Sequence, residues 1–494
     1  MCSVNGTIND YKNVTYKYIL MRIAFHGAAR TVTGSKHLIT LQNDTQLLLD
    51  CGMFQGLSDE LTDSLNSSFG FEADKVSYLL LSHAHIDHSG LIPKLVKEGF
   101  KGKIICTAAT RDLAMLLLQD SADIQRSENQ QHRTQRGKQD EVLEPLYTME
   151  DVSKTAELFE VICFEEWVQL QEGVEVYYTN TGHIIGSAAI TIRVTEEGQT
   201  KTLHFSGDVG RYRDVLLCPP QPFPKADFII IESTYGNSLH ENQFSTTDQL
   251  MKWIKHTCVE KQGKLIIPAF SVGRTQELLY FLNQLSLEKR LPEIPVIVDS
   301  PLSYETTQVV KKYPALFNER LQKVLEIDDD PFSFPGMRFT RHVEESMQLE
   351  HFHDPCIIIA ASGMADAGRI RHHIKNNVEF ERNTILLVGY CSPSSLGGQL
   401  IHGDKQVKIN GQEYNVHAEI GVMRSMSAHG DADDLARYLS CQEAASVTTV
   451  FLVHGEYDVQ QDFQKKLMLK GYEQVLIPEM HAVCGLNEIV AETA

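Results

Sequence analysis

Residues 82–90 read Ser82-His83-Ala84-His85-Ile86-Asp87-His88-Ser89-Gly90 and place three histidines and one aspartate within six positions. The apolar run at 76–81 comes directly before them and is typical of a buried strand. A strand that feeds a tight turn directs successive side chains toward one point, and imidazole with carboxylate is the ligand set for zinc. The alternative is a polar loop that happens to be rich in histidine. Four ligands cannot complete two metal sites, so the metal interpretation requires partners elsewhere in the chain.

Size and composition limit the class of protein. At 494 residues the chain is long enough for two domains, and its net charge of -20 argues against sequence-blind electrostatic binding to nucleic acid or anionic membrane. The ten cysteines are scattered without a C-x-x-C pair, which indicates reduced thiols and a cytoplasmic location. The sequence has neither a transmembrane-length apolar span nor a signal peptide. A strand-like segment begins at Met21, so residues 1–21 are expected to be a leader and Met21 a candidate native start.

The other candidate metal-binding and acid–base side chains lie in turns and at strand ends. Strand-like segments fill 22–55 and 174–236, a helix is predicted at 110–121, and a solvated excursion of helix and loop at 122–155. From 237 to 410 helices and strands alternate, which predicts a doubly wound parallel sheet. If the strands share sheets, their ends meet at one edge. The side chains placed there are Asp50, His83, His85, Asp87, His88, His183, Asp208, Glu232, His429 and His454.

These motifs resemble the metallo-β-lactamase superfamily, with H-x-H-x-D-H at 83–88 and downstream His183 and Asp208. Three further motifs resemble motifs A, B and C of its β-CASP branch, which includes the endonuclease of mRNA 3′-end processing and its bacterial relatives. They are Glu232-Ser-Thr-Tyr-Gly, Ser427-Ala-His429-Gly-Asp and Val453-His454-Gly-Glu. The resemblance implies an α/β protein, an αββα sandwich with an inserted doubly wound β-CASP domain. The expected division is 22–236 and 411–494 for the sandwich and 237–410 for the insertion.

The resemblance also implies a ligand set and a mechanism. One zinc would be held by His83, His85 and His183, a second by Asp87, His88 and His454, and Asp208 would bridge them. Two divalent ions about 3.5–4 Å apart give a bridging hydroxide at neutral pH and neutralise the charge that develops on a phosphate. His429, oriented by Glu232, would be the general acid, so the expected catalytic residues are Asp208, Glu232 and His429. Asp50 is predicted to orient a metal-bound histidine, although turn formation is the commoner role for such an aspartate.

Phosphate binding needs cations besides the metals. Arg274 opens a helix after a strand, and Arg369 and Arg371 lie in a short basic segment; all three are candidate phosphate contacts, with a solvated helix face as the alternative. His26 and His204 match no motif and are predicted to be structural histidines.

The sequence therefore predicts a zinc-dependent ribonuclease with single-stranded RNA as substrate. Histidine at motif C resembles the RNA-processing members of the branch. Internal cutting and 5′–3′ exonucleolytic cutting are both left open, and a homodimer is a candidate assembly. The first alternative is a metallo-hydrolase of a small thioester, lactone or phosphodiester, because the same metal centre serves many substrates. The second is a catalytically inactive scaffold, against which the complete ligand set argues.

Overall fold

Three large β-sheets organise the chain. The computed structural model describes residues 21–136, 144–240 and 246–486. The strands of these residues are β1 Arg22–Phe25, β2 His37–Thr40, β3 Gln46–Leu49, β4 Val76–Leu80, β5 Lys103–Cys106, β6 Phe159–Val161, β7 Trp167–Gln171, β8 Val174–Asn180, β9 Ala188–Glu196, β10 Gln199–Phe205, β11 Phe228–Glu232, β12 Lys264–Pro268, β13 Val296–Val298, β14 Met337–Phe339, β15 Cys356–Ala360, β16 Thr384–Leu387, β17 Gln406–Ile409, β18 Gln412–Asn415, β19 Glu419–Val422, β20 Thr449–Val453, β21 Val475–Leu476 and β22 Val483–Gly485.

Helices connect and cover these sheets. The α-helices of the described residues are α1 Asp59–Ser67, α2 Ile86–Ser89, α3 Ile92–Lys97, α4 Ala108–Arg136, α5 Met149–Ala156, α6 Thr246–Ile254, α7 Arg274–Leu287, α8 Pro301–Lys311, α9 Glu319–Leu325, α10 Val343–Gln348, α11 Ile370–Lys375, α12 Leu396–His402, α13 Ala432–Tyr438 and α14 Tyr457–Leu469.

Two seven-stranded sheets form the centre of a sandwich. Their strand orders are β22-β1-β2-β3-β4-β5-β6 and β21-β20-β11-β10-β9-β8-β7. One apolar cluster joins the two sheets, since it contains Ile23 and Leu47 from the first and Ile192 and Phe451 from the second. Strands β20, β21 and β22 come from the C-terminal part of the chain, so that part completes both sheets.

Helices cover the outer faces of the sandwich. Residues of α3, α4 and α5 share an apolar cluster with the first sheet, and residues of α13 and α14 share one with the second. The order of layers is therefore helix, sheet, sheet, helix, which confirms the αββα prediction.

The third sheet belongs to the inserted segment. Its order is β14-β13-β15-β12-β16-β19 and every pairing in it is parallel. Its central strands are buried along their whole length, as expected for a parallel sheet covered on both faces. This confirms the inserted α/β domain. The boundaries at 236 and 410 stay predictions, and the sheet of the insertion extends past 410 because β19 pairs with β16.

The inserted segment contacts the sandwich through backbone and side-chain hydrogen bonds. Asn318 donates its backbone N–H to the Leu216 carbonyl at 2.9 Å, and Leu217 pairs with Phe317 in an antiparallel bridge. On another side α4 packs against α8, and the Tyr313 hydroxyl lies 2.8 Å from the Asp112 carboxylate. These contacts hold the inserted segment against the sandwich.

Two sequence predictions differ from the structure. The helix predicted at 110–121 extends from Ala108 to Arg136, so part of the expected excursion at 122–155 is helical. The expected leader lies outside the described residues except for Met21. Met21 is buried, and its carbonyl accepts a hydrogen bond from the Leu486 backbone at 2.8 Å, so it belongs to the packed fold.

Candidate metal centre and catalytic pair

One edge of the sandwich collects the side chains that the sequence singled out. Asp50 follows β3, the histidine-rich stretch follows β4 and includes α2, and His183 lies in the turn between β8 and β9. Asp208 and His454 lie just beyond the ends of β10 and β20, and Glu232 ends β11. His429 comes from the loop before α13. The common edge arises because β4, β10, β11 and β20 run in the same direction within their sheets.

The first group of potential ligands surrounds one oxygen of Asp208. The Nε2 atoms of His83 and His183 lie 3.4 and 3.3 Å from Asp208 Oδ2, and each lies 3.1 Å from His85 Nδ1. Four ligand atoms, one from each of these residues, lie within 4.8 Å of one another. Three nitrogens and one oxygen at this spacing match a zinc ligand set.

The second group surrounds the other oxygen of Asp208. His88 Nε2 lies 3.3 Å from Asp208 Oδ1, His454 Nδ1 lies 3.7 Å from it, and His454 Nε2 lies 3.4 Å from Asp87 Oδ2. Asp87, His88 and His454 offer ligand atoms within 4.8 Å of one another. The two oxygens of Asp208 thus face different groups, which is the arrangement that a bridging carboxylate requires.

Unpaired polar atoms and the protonation states of the first ligand group fit bound cations. His88 Nε2 and Asp208 Oδ1 are buried and make no hydrogen bond with the described residues. Burial lowers the pKa of His83, His85 and His183, so these imidazoles are neutral, as metal ligands must be. Although burial opposes it, the surrounding histidines hold the pKa of Asp208 well below its usual range. The residues present therefore fit a pair of divalent metal ions.

Asp50 is placed to orient a ligand rather than to bind metal. Its Oδ2 atom lies 2.6 Å from His88 Nδ1, and its two oxygens accept hydrogen bonds from the backbone N–H and hydroxyl of Ser82, both at 2.8 Å. A carboxylate on Nδ1 leaves Nε2 of His88 to face the metal centre. This is the position that the sequence predicted for Asp50.

A carboxylate–histidine pair lies beside the ligand groups. His429 Nδ1 is 3.1 Å from each oxygen of Glu232, and Glu232 also accepts hydrogen bonds from the backbone of Val209 at 2.7 Å and Thr234 at 3.3 Å. Burial lowers the pKa of His429, but the carboxylates of Glu232 and Asp208 outweigh it and raise that pKa to about 9. One potential ligand atom from each of Glu232, His429, Asp208 and His454 also lies within 4.8 Å of the other three. Because Glu232 is already committed to three donors, the pair is better suited to proton transfer than to metal binding.

Comparison with known proteins agrees with this geometry. The profile of the "Metallo-beta-lactamase superfamily" matches residues 34–235, that of the "Beta-Casp domain" residues 275–400, and that of the "Zn-dependent metallo-hydrolase RNA specificity domain" residues 413–478. Ribonuclease TTHA0252 of Thermus thermophilus is 34% identical over 92% of this chain and 97% of its own length. The chain belongs to the β-CASP branch of the metallo-β-lactamase superfamily.

Two further relatives align over most of the chain at lower identity. Transcription termination factor FttA of Methanosarcina mazei is 27% identical over 93% of this chain and 71% of its own length. Cleavage and polyadenylation specificity factor 73 of Drosophila melanogaster is 29% identical over 88% of this chain and 60% of its own length. The family predicted from the motifs is confirmed.

Two of the three arginines predicted to contact phosphate are paired within the β-CASP segment. Arg274 begins α7 as predicted, but it is buried and forms an ion pair with Glu277, whose pKa burial raises to about 8. Arg369 lies 2.7 Å from the buried carboxylate of Asp299. Arg371 donates to the Asp366 carbonyl at 3.1 Å. Arg274 and Arg369 are therefore not free cations, whereas Arg371 bonds to a neutral carbonyl; the phosphate contacts of all three stay predictions.

The histidines interpreted as structural have partners away from the metal centre. His204 lies between Thr191 at 2.9 Å and Tyr438 at 2.8 Å, and its ring stacks on Phe223. His26 lies 3.0 Å from the ring of His481. Neither lies in a candidate ligand group.

None of the helices in the described residues combines the length and apolar character that a membrane span requires.

Sequence reasoning missed two features of the candidate metal centre. Thr234 Oγ1 lies 3.1 Å from His454 Nδ1, so it orients His454 much as Asp50 orients His88. Its place in motif A, two residues after Glu232, was the available signal. Asp50 and His454 both have positive φ, at 57° and 47°. Such left-handed backbone turns sharply at the strand end, and aspartate and histidine are among the non-glycine residues that adopt it most readily.

Proposed function

We propose that this protein is a zinc-dependent ribonuclease that hydrolyses phosphodiester bonds of single-stranded RNA. The observation that carries the proposal is the juxtaposition of two ligand groups, which share Asp208, with the Glu232–His429 pair. Small-substrate hydrolysis needs no such pair, whereas cleavage of a phosphodiester must supply a proton to a leaving ribose oxygen.

The expected metal complement is two zinc ions. His83, His85 and His183 would hold one, Asp87, His88 and His454 the other, and Asp208 would contact both. When bound, the ions supply an activated water and neutralise charge on the phosphate. Asp50 and Thr234 orient His88 and His454 from behind, which keeps one imidazole nitrogen of each free to act as a ligand.

His429 supplies the proton. Glu232 accepts from Nδ1, which fixes the ring, and none of the contacts made by the described residues involves Nε2 of His429. Although burial opposes it, the Glu232 carboxylate raises the pKa of His429 and so favours the imidazolium form. The Nε2 proton is then available to the leaving oxygen. Glu232 stabilises the imidazolium before transfer and orients the neutral ring afterwards.

The names of the relatives and of one matching profile support RNA as the substrate. One is a ribonuclease, another a cleavage and polyadenylation factor, and the profile at 413–478 is described as an RNA specificity domain. Internal cutting is proposed as the main mode, with 5′–3′ exonuclease activity as an additional one. A cytoplasmic location and a homodimer stay predictions.

The decisive experiment is digestion of a 5′-labelled RNA by zinc-loaded protein, beside the same sequence as single-stranded DNA and a generic thioester. Asp208→Asn is the matched inactive variant. We expect cleavage of RNA that is lost in Asp208→Asn and in the presence of a chelator. Internal products indicate endonuclease activity, and mononucleotides released from the 5′ end indicate exonuclease activity. Thioester hydrolysis without RNA cleavage would contradict the proposal in favour of a small-substrate hydrolase, and inactivity on all three substrates would favour a scaffold.

A further inference from the structure

A lysine is buried behind the metal centre. Lys36 is fully buried just before β2, and its ammonium group donates to the carbonyls of Gly52 at 2.7 Å and Gly34 at 3.1 Å. The same group lies 4.3 Å from the centre of the Phe54 ring. Among the described residues no carboxylate pairs with Lys36, and burial lowers its pKa to about 7. An unpaired buried cation is costly, so its retention needs a reason.

The two carbonyls that Lys36 binds belong to the loops that hold two of the proposed ligands. Next to Gly34, the Ser35 backbone N–H donates to the Asp87 carbonyl at 2.8 Å. Next to Gly52, the Cys51 backbone N–H donates to the His88 carbonyl at 2.7 Å. The loops also bond to each other, because the Gly52 N–H donates to the Ser35 carbonyl at 2.9 Å. Lys36 therefore joins the two loops directly behind Asp87 and His88.

The Gly52 loop packs directly against the backbone of Asp87 and His88. A Cβ atom added to Gly52 would lie 1.6 Å from the Asp87 carbonyl oxygen and 2.8 Å from the His88 nitrogen. A shift of the Gly52 loop must therefore move the backbone of Asp87 and His88. Loss of the Lys36 bonds would leave two buried carbonyls without this donor and would release that shift.

We propose that Lys36 is a positioning residue of the metal centre, which sets Asp87 and His88 by joining the Gly34 and Gly52 carbonyls behind them. The inference rests on the proposed metal site and adds a residue that neither binds metal nor contacts a ligand side chain. It predicts that the site formed by Asp87, His88 and His454 depends on Lys36 more than the site formed by His83, His85 and His183 does.

The test compares two buried lysines. Lys36→Met removes the ammonium group and keeps the shape of the chain. Lys94→Met is the matched control, because Lys94 is also buried and lies 4.2 Å from a phenylalanine ring, that of Phe69, but its amine pairs with Glu98. The metal-free proteins are titrated with Co²⁺, and visible absorption and affinity are measured for each equivalent. Thermal unfolding reports stability separately.

We expect Lys36→Met to bind the second Co²⁺ about 10- to 100-fold more weakly, with an altered spectrum, and Lys94→Met to titrate like the wild type. Lys36→Gln, which restores one donor, should recover part of the affinity. Wild-type titration by Lys36→Met, or an equal loss in Lys94→Met, would overturn the role of Lys36. Cobalt uptake by the wild-type protein tests the metal site itself, so failure of the proposed function is seen independently of the comparison between variants.

Discussion

Replacing Asp50 by asparagine tests whether the residues behind the ligands control the metal centre. Asp50 is fully buried and receives three donors: the backbone N–H of Ser82, the Ser82 hydroxyl, and Nδ1 of His88. Asparagine keeps the size and shape of aspartate but has one acceptor oxygen and one amide group that only donates. We predict that Asp50→Asn weakens binding of one of the two metals.

The prediction follows from the two orientations open to the amide. If its NH₂ group faces Ser82, it meets a backbone N–H, and two donors are left without an acceptor. If the NH₂ group faces His88, Nδ1 must become the acceptor, and the imidazole proton moves to Nε2. Nε2 is the atom that lies 3.3 Å from Asp208 in the ligand group, and a protonated nitrogen cannot bind metal. Either orientation therefore disturbs the site of Asp87, His88 and His454.

The size of the effect can be bounded. A hydrogen bond to a charged group contributes about 1.5–3 kcal/mol. Each 1.4 kcal/mol corresponds to about tenfold in affinity, so a 10- to 100-fold weaker second metal is expected. Loss of a carboxylate behind a metal-bound histidine has effects of this order in other metal sites. The site of His83, His85 and His183 should lose less affinity, because Asp50 reaches it only through Ser82, whose hydroxyl lies 3.0 Å from His83 Nδ1.

The assay is competition for Zn²⁺ against a chromophoric chelator, which resolves two dissociation constants per chain. Asp151→Asn is the matched control: its buried carboxylate also accepts a backbone N–H and a hydroxyl, both from Thr148, but no histidine is involved. Asp151→Asn should cost about 1 kcal/mol of stability as a helix cap and leave both zinc affinities unchanged. Unchanged zinc affinities in Asp50→Asn would refute the reasoning.

Three further predictions concern metal, chemistry and pH. Asp87→Ala combined with His88→Ala should lower the zinc content from about two to about one per chain, measured by elemental analysis, and an unchanged content would remove both from the ligand set. His429→Ala should keep its zinc but cleave labelled RNA about 10²- to 10⁴-fold more slowly, and wild-type cleavage would exclude His429 as the acid. Burial and His481 lower the pKa of His26 to about 4, below its ordinary 6.5. The unfolded chain therefore binds more protons between these values, and acidification from pH 7 to pH 5 should remove about 2 kcal/mol of stability that His26→Gln does not lose, as urea unfolding would show.

The shared edge of the candidate residues could be predicted because they lie in short motifs at strand ends, whereas their division into two ligand groups came from the family resemblance and stays a prediction. His83, His183 and His454 each follow a strand, and parallel strands bring their ends to one edge, so spacing alone indicates a shared site. The backbone of His454 could not be predicted in this way. Its positive φ depends on the neighbouring loop, where its N–H donates to the Ala28 carbonyl at 2.7 Å.

The helix lengths and the ion-pair partners of the arginines could not be predicted, for a different physical reason. The residues after Ser121 in α4 are mostly polar, and such a helix lacks the apolar periodicity that distinguishes a helix from a loop in the sequence. Arg369 looks like a free cation in the sequence because its partner, Asp299, lies far upstream and meets it only after folding.

Charge explains how an acidic protein can bind RNA at this edge. Asp87, Asp208 and Glu232 place three carboxylates among the ligand groups, opposed by the imidazolium of His429, and the whole chain carries -20. A phosphate that approaches this edge would meet like charge. Bound as proposed, two divalent cations would add four positive charges at the same place and reverse the sign of the local field, because bound ions are the largest charges in such a site. We therefore predict that metal binding precedes RNA binding, and that the residues proposed to set metal affinity from behind, among them Asp50, also affect binding of the substrate.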